Sequence, residues 1–254
     1  MIFVPEVIGR VIDGMRKEGN YTSFTNAGTT YTVESPNELL EGEWIIILDT
    51  VLAFGFEYAF PIVFTDDLGG ILADPVVFGQ FQAINVTADS FDIVSETAIP
   101  SVGGWKSLEP FFMFGHRQEI SNRLLMKDKD RVYKYQKYPL FVLRLDFPED
   151  VTSDHVHEVT LNMAIMDSTD KNYRAPERYE KVFHPILMPL YFDFIEKLQA
   201  SSETMGTGYP EHTKIDRPFW GVDESGRNVK YIFSDPLDAI ELQNLKLKLL
   251  DNKC

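Results

Sequence analysis

Histidine carries its ordinary proton affinity nearest neutral pH, so the five histidines of this 254-residue chain are the first residues to read for chemistry. Two lie close together, in Asp154-His155-Val156-His157-Glu158. On an extended backbone both imidazoles point to the same side, as two metal ligands of a hydrolase would need. No third ligand motif accompanies them, and the competing reading is the edge of a polar hairpin loop. His184 precedes Pro185 and reads as a helix-break residue, while His116 and His212 read as isolated polar residues in loops. The chain contains no Gly-x-Ser-x-Gly elbow, no phosphate-binding Gly-x-x-x-x-Gly-Lys-Ser/Thr loop and no Gly-x-Gly-x-x-Gly fingerprint. Lys127-Asp128-Lys129-Asp130-Arg131 has the alternation of a calcium loop without its glycine and terminal glutamate, which makes it a solvated turn. Carboxylate pairs such as Glu149-Asp150, and Asp235 with Asp238, are expected by chance in so acidic a chain. The expectation is therefore no enzyme, no catalytic or metal residues and no cofactor.

The formal net charge is −15, which repels phosphate on average and argues against tight nucleic-acid binding through counterion release. A channel through which DNA slides without specific binding is compatible with it. One local exception is the basic, tyrosine-bearing set of Lys106, Lys127, Lys129, Arg131, Lys134 and Lys137 with Tyr133, Tyr135 and Tyr138. It is a candidate for touching DNA phosphate, a solvated connection or an acidic neighbour. The lone cysteine, Cys254, supplies neither a disulfide framework nor a zinc pair. The start of the sequence lacks the basic and apolar regions of a signal peptide, so synthesis in the cytoplasm without export is expected. The most apolar tract, 51–64, is interrupted by Gly55, Glu57 and Pro61 and is too short for a membrane helix, so no membrane association is expected.

Residues 5–15 place Val7, Ile8, Val11, Ile12 and Met15 at helical spacing, with Pro5 in the first turn and Gly19-Asn20 as a stop. From 31 to 99 the pattern is β. Its most apolar stretch puts Phe54, Phe56, Tyr58 and Phe60 on one face, and Phe78 and Phe81 return after a turn at 66–70. The two arms predict a long hairpin, whose six aromatics are either internal core or the candidate subunit-docking residues. Gly103-Gly104 marks a boundary. Strands follow around 141–147 and 159–165, joined by a polar loop at 148–154 and paired antiparallel. The strongest helical pattern runs from 175 to 199, with a break or kink at His184-Pro185 because Pro185 and Pro189 lack donors. Strands at 230–233 and 239–250 close the chain. In the last one the apolar phase switches from even to odd positions, which predicts a bulge near Gln243-Asn244.

These elements predict an α+β fold, a mostly antiparallel sheet with a long Pro-kinked helix packed on it, plus a β-rich insertion. The expected organisation is an N-terminal helix and connection at 1–30, an insertion domain at 31–104 and a second α+β domain at 105–254. Trp105 and Trp220 read as core anchors, with interface hot spots as the alternative.

The strings Tyr135-Gln136-Lys137-Tyr138-Pro139-Leu140, Leu143-Arg144-Leu145-Asp146 and Leu161-Asn162-Met163-Ala164-Ile165 carry a resemblance. So do the run from Arg178 through His184-Pro185 to Tyr191, Asp216-Arg217-Pro218-Phe219-Trp220-Gly221, and the stretch from Tyr231 to Leu242. Together they resemble a structural protein of tailed bacteriophages infecting gut Bacteroidetes, including crAss-like phages. From Tyr138 onward the arrangement also resembles tail-terminator and tail-completion proteins, while the β insertion departs from the small terminator pattern. The resemblance implies a noncatalytic virion protein of the neck, a head-to-tail connector made in the host cytoplasm. It would form a homo-oligomeric ring of about six or twelve copies against portal, neck or tail proteins, with DNA passing through. The alternative is a distal tail module that binds a host-surface glycan through exposed aromatics such as Trp44 or Tyr58.

Overall fold

A computed structural model describes residues 3–48, 77–129, 137–153, 156–205, 208–223, 230–231 and 233–250. The chain folds into two compact units, one of residues 16–109 and one of residues 1–15 and 110–254.

In the unit of residues 16–109 the strands are β1 (Glu18–Tyr21), β2 (Phe24–Ala27), β3 (Thr30–Glu34), β4 (Trp44–Leu48), β5 (Val77–Gln82), β6 (Ser90–Val94) and β7 (Gly103–Ser107). They form one sheet in the order β1-β7-β4-β5 and a second in the order β2-β3-β6. Alternation explains the second sheet: Tyr31 and Val33 of β3 and Phe91 and Ile93 of β6 face one core with Ile45 and Ile47 of β4. Trp105 sits in that core, its ring edge-on to Phe91 at 5.5 Å and its indole N–H donating to Ser35 Oγ at 2.9 Å. Gly19 lies opposite, where a Cβ would stand 2.7 Å from the indole, so this residue serves a strand and not the helix stop expected at Gly19-Asn20. The bounds differ from the expected 31–104, because β1 pairs with β7 and draws the chain from residue 16 into the insertion. Gly103-Gly104 is accordingly inside a central strand, where a Cβ on Gly103 would meet the Leu48 carbonyl at 2.2 Å.

In the other unit, α1 (Val4–Asp13) buries Val4, Val7, Ile8, Val11 and Ile12, the stripe that its sequence spacing predicts, and packs on the unit's later helix and first strand. Next come β8 (Phe111–Phe114), α2 (Arg117–Lys129), β9 (Leu140–Leu143), β10 (Glu149–Ser153) and β11 (Val156–Ser168). A continuous helical run follows, made of α3 (Ala175–Arg178), a π-helical stretch (Tyr179–Leu187) and α4 (Met188–Ala200). The chain closes with β12 (Thr213–Trp220), a small pair β13 (Val222–Asp223) and β14 (Lys230–Tyr231), and β15 (Leu237–Leu250). The main sheet runs β12-β15-β11-β9-β8, with β10 beside β11, and the π stretch packs on β11 and β15. This is an α+β fold with mostly antiparallel sheets.

The antiparallel pairing of β9 with β11 matches the sequence reading, and so does the bulge. Leu161 pairs with Leu245 and Met163 with Leu242, which leaves Gln243-Asn244 as the extra residues opposite Asn162. Asn244 adopts φ 55°, and its N–H donates to Asn162 Oδ1 at 3.1 Å. Three expectations are corrected. The polar loop at 148–154 contains β10, because its residues pair with the outer half of β11. Lys127 and Lys129 stand in the last turn of α2 and not in a solvated turn. The break at His184-Pro185 is a π-helical stretch: a wider turn accommodates a residue without an N–H and carries the helix through without interruption. No helix among the described residues is long and apolar enough to cross a membrane.

Candidate functional site

The most heavily buried charges of the unit lie where β11 ends and the helical run begins. Glu177 accepts the Arg174 N–H at 2.8 Å, which sets the start of α3 and brings Arg178 round toward the sheet. Its guanidinium donates to Asp238 Oδ1 at 2.7 Å, to Thr169 Oγ1 at 3.2 Å and to the carbonyls of Asp170 and Tyr173, each at 3.0 Å. The Phe219 ring covers it at 3.5 Å. Arg178 and Asp238 are 1% and 0% exposed, so neither charge has water to fall back on. Asp238 Oδ1 also accepts the Phe219 N–H at 3.0 Å, while Asp238 Oδ2 is buried without a hydrogen-bond partner.

Directly across the strand pair from Asp238 stands Asp167. Burial pushes its carboxyl up to about 6; the Ser168 N–H opposes that rise and the Asp238 charge adds to it. Asp167 opens onto a cavity of about 700 Å³ lined also by Ser168, Thr169, Lys171, Tyr173 and Lys181. Lys181 holds its ammonium 4.3 Å above the Tyr173 ring. Lys181, Val182 and Ile186 come from the π stretch, so the widened turn shapes one wall. Chemically the cavity offers cationic donors and one carboxyl whose proton is exchangeable near neutral pH, a set suited to holding a polar solute.

A second feature is a groove of about 570 Å³ beside β15, lined in part by Leu198, Thr204, Met205, Tyr209, Pro210 and Lys248. His212 donates from Nδ1 to the Pro210 carbonyl at 2.7 Å, which leaves Nε2 to accept from the Tyr191 hydroxyl at 2.8 Å. The Tyr209 hydroxyl completes the chain at 2.5 Å from Tyr191. Burial, and then the hydrogen bond with Tyr209, raise the Tyr191 phenol above its ordinary value. Beside this network Phe192, Met205 and Tyr209 are 60%, 47% and 59% exposed.

The third is a polar node at the other face of β15. Glu241 accepts the Trp220 indole N–H at 2.7 Å, Gln243 at 3.0 Å, Arg217 Nε at 3.2 Å and Arg144 Nη2 at 3.3 Å. Burial acts to raise its carboxyl, but these donors together outweigh it and hold the group below its ordinary value.

Those residues singled out from sequence that the structure describes are dispersed. His155 lies outside the described residues, and His157 pairs with Glu149 across β10 and β11. Among the described residues no group of three His, Cys, Asp or Glu side chains is arranged to hold a metal ion. Asp235 and Asp238 do not act together: Asp235 accepts from Lys137 at 2.8 Å and from Tyr138 at 3.0 Å. Of the basic set, Lys106 is buried in β7, Lys127 and Lys129 stand in α2 and Lys137 is engaged with Asp235, while Arg131, Tyr133, Lys134 and Tyr135 lie outside the described residues. Of the candidate docking residues, Phe54, Phe56, Tyr58 and Phe60 also lie outside them, Phe78 is in β5, and Phe81 packs half-buried on the core of its own unit. Trp105 and Trp220 are both buried, as core anchors should be. His212 is no isolated loop residue: nearby Tyr209 stacks on its ring, and Tyr191 reaches it from α4, a pairing that no local sequence pattern marks. Asp167 ends an alternating strand, and no local pattern marks it. Comparison with protein-family models, with curated proteins and with solved structures found no match.

Proposed function

We propose that this chain is a noncatalytic structural protein of a tailed-phage virion, a neck component that assembles as a ring of about six or twelve copies between portal and tail and surrounds the DNA path. The observation that carries this reading is where the phage-like segments fall. Their described parts are β9 and the loop after it, the middle of β11, part of the helical run, the end of β12, Tyr231 of β14 and the start of β15, all within the unit of residues 1–15 and 110–254. All of these segments lie between residues 135 and 242 and so belong to one structural unit, as a module with a single architectural role would. Phe192, Met205 and Tyr209 add the means of assembly: they give that unit an exposed apolar surface next to a groove, the kind of surface that marks a protein contact.

The test is the mass of the full chain by light scattering, alone and with candidate portal or tail proteins. A ring, formed alone or only with such a partner, supports the reading; a monomer that ignores those partners overturns it. Changing Phe192 and Met205 to Ser is expected to shift the population toward monomer while circular dichroism stays that of the parent, because both side chains are largely exposed.

A further inference from the structure

We propose that Arg117, Arg144 and Arg217 form an oxyanion site that takes a phosphate group, built around the Trp220 indole. Arg117 opens α2 and lays its guanidinium 5.5 Å from the centre of that ring. Arg144 follows β9 and Arg217 stands on β12; both reach Glu241, and Arg117 lies within electrostatic range of Arg144 and of that same carboxylate. Two of them are tethered through Glu241 by a single N–H each, Arg144 through Nη2 and Arg217 through Nε. The paired Nη donors of Arg217 are therefore left for another acceptor, and this side chain is half exposed.

Arg117 is the more telling case. Among the described residues it makes no ion pair, only the contact with the indole. The side chain is exposed to solvent; partial desolvation lowers its proton affinity first and repulsion from Arg144 lowers it further, while Glu241 and Asp146 only partly compensate. A cation left in that position is stabilised by an incoming anion. Among the described residues Arg117, Arg144 and Arg217 stand against two carboxylates here, Glu241 and Asp146, in a chain whose overall balance is −15. The positive field is local, because salt screens charge beyond roughly 8–10 Å, and it acts on a ligand only at contact. Planar forks presenting several N–H groups match the oxygens of a phosphate better than those of a neutral solute. Glu241 cannot fill this role, since its own oxygens are already occupied by Trp220, Gln243 and the tethering arginines. The site does not depend on the ring reading, and either can fail alone.

Two sources offer this chemistry, free phosphate and the phosphodiester backbone of DNA. The experiment is calorimetric titration of the full chain at low salt with inorganic phosphate and, separately, with a short DNA duplex. The comparison is with the double variant R117Q/R217Q and with Lys197→Gln, an exposed change on α4. Saturable binding of phosphate, weakened about tenfold or more in the double variant and unchanged in K197Q, supports the proposal with free phosphate as ligand. Binding of the duplex alone, with a salt slope that falls by about one for each arginine removed, supports it with the phosphodiester as ligand. No binding of either probe overturns it, and so does binding that survives in the double variant or falls equally in K197Q. If the double variant melts below the parent, R117Q alone decides on the same criteria, since that side chain anchors no carboxylate among the described residues.

Discussion

Replacing Asp167 with Asn should make the protein more stable, by an amount that depends on pH. In the folded chain the carboxyl is pushed up to about 6 from an ordinary value of 3.8, with burial as the main cause. The folded state therefore holds the proton more tightly than the unfolded chain does. That contribution is fully present below the unfolded value and is lost as pH rises through the folded one. Each unit of difference is worth about 1.4 kcal/mol, so ionised Asp167 costs the native state about 3 kcal/mol at pH 8 and only about 0.6 kcal/mol at pH 4. Exposure of 9% leaves little solvent screening to discount. An Asn keeps an oxygen for the Ser168 N–H, which Asp167 Oδ1 accepts at 2.7 Å, and adds an amide donor across the strand pair from the unpartnered Asp238 Oδ2. Urea denaturation of parent and variant from pH 4 to pH 8 measures the gap. Glu241 contributes a pH dependence of the opposite sign, its carboxyl being held low, but it is common to both proteins and cancels in the difference. The variant should gain little at pH 4 and about 2–3 kcal/mol at pH 8. Parallel stability profiles, or a variant weaker at pH 8, would refute the account of Asp167 as a desolvated carboxylate.

Four further variants test the same region and the bulge. Arg178→Ala removes the counter-ion of a fully buried carboxylate and should cost about 3–5 kcal/mol, read from urea midpoints, whereas Arg178→Ala with Asp238→Ala should recover part of that loss. Asn244→Val places a β-branched residue at φ 55° and should cost about 1–3 kcal/mol, while Asn244→Gly should stay within about 1 kcal/mol of the parent; equal effects would place no strain at the bulge.

Sequence reading succeeded where one local period controls the structure. The even-to-odd switch in 239–250 located the bulge because each extra residue turns every later side chain to the other face. The α1 stripe was equally plain, since Val7, Ile8, Val11 and Ile12 are spaced for one side of a helix. It missed α2, whose long polar stretch buries chiefly Ile120, Ser121 and Leu124 and therefore shows almost no apolar stripe. The parallel pairing of β8 with β9 was also hidden, because alternation is the same in parallel and antiparallel strands. Pro185 and Pro189 announced an irregular helix but not its kind, which depends on how the chain pays back missing donors against β11 and β15. The sites were least legible. Asp167, Arg178 and Asp238 meet only after β11, the helical run and β15 have packed, and the three arginines around Trp220 come from three elements with no common spacing.

The unit of residues 16–109 leaves the chain close to where it entered. Lys17 and Ser107 exchange hydrogen bonds, the Ser107 N–H to the Lys17 carbonyl at 2.7 Å and the Lys17 N–H to Ser107 Oγ at 3.0 Å, and β1 runs beside β7 from there. To the remainder of the protein a whole β unit is thus equivalent to a tight connection between α1 and β8, and its length adds almost nothing to the entropy of closing that connection. Such a segment is free to be gained, lost or exchanged between related genes without refolding its host.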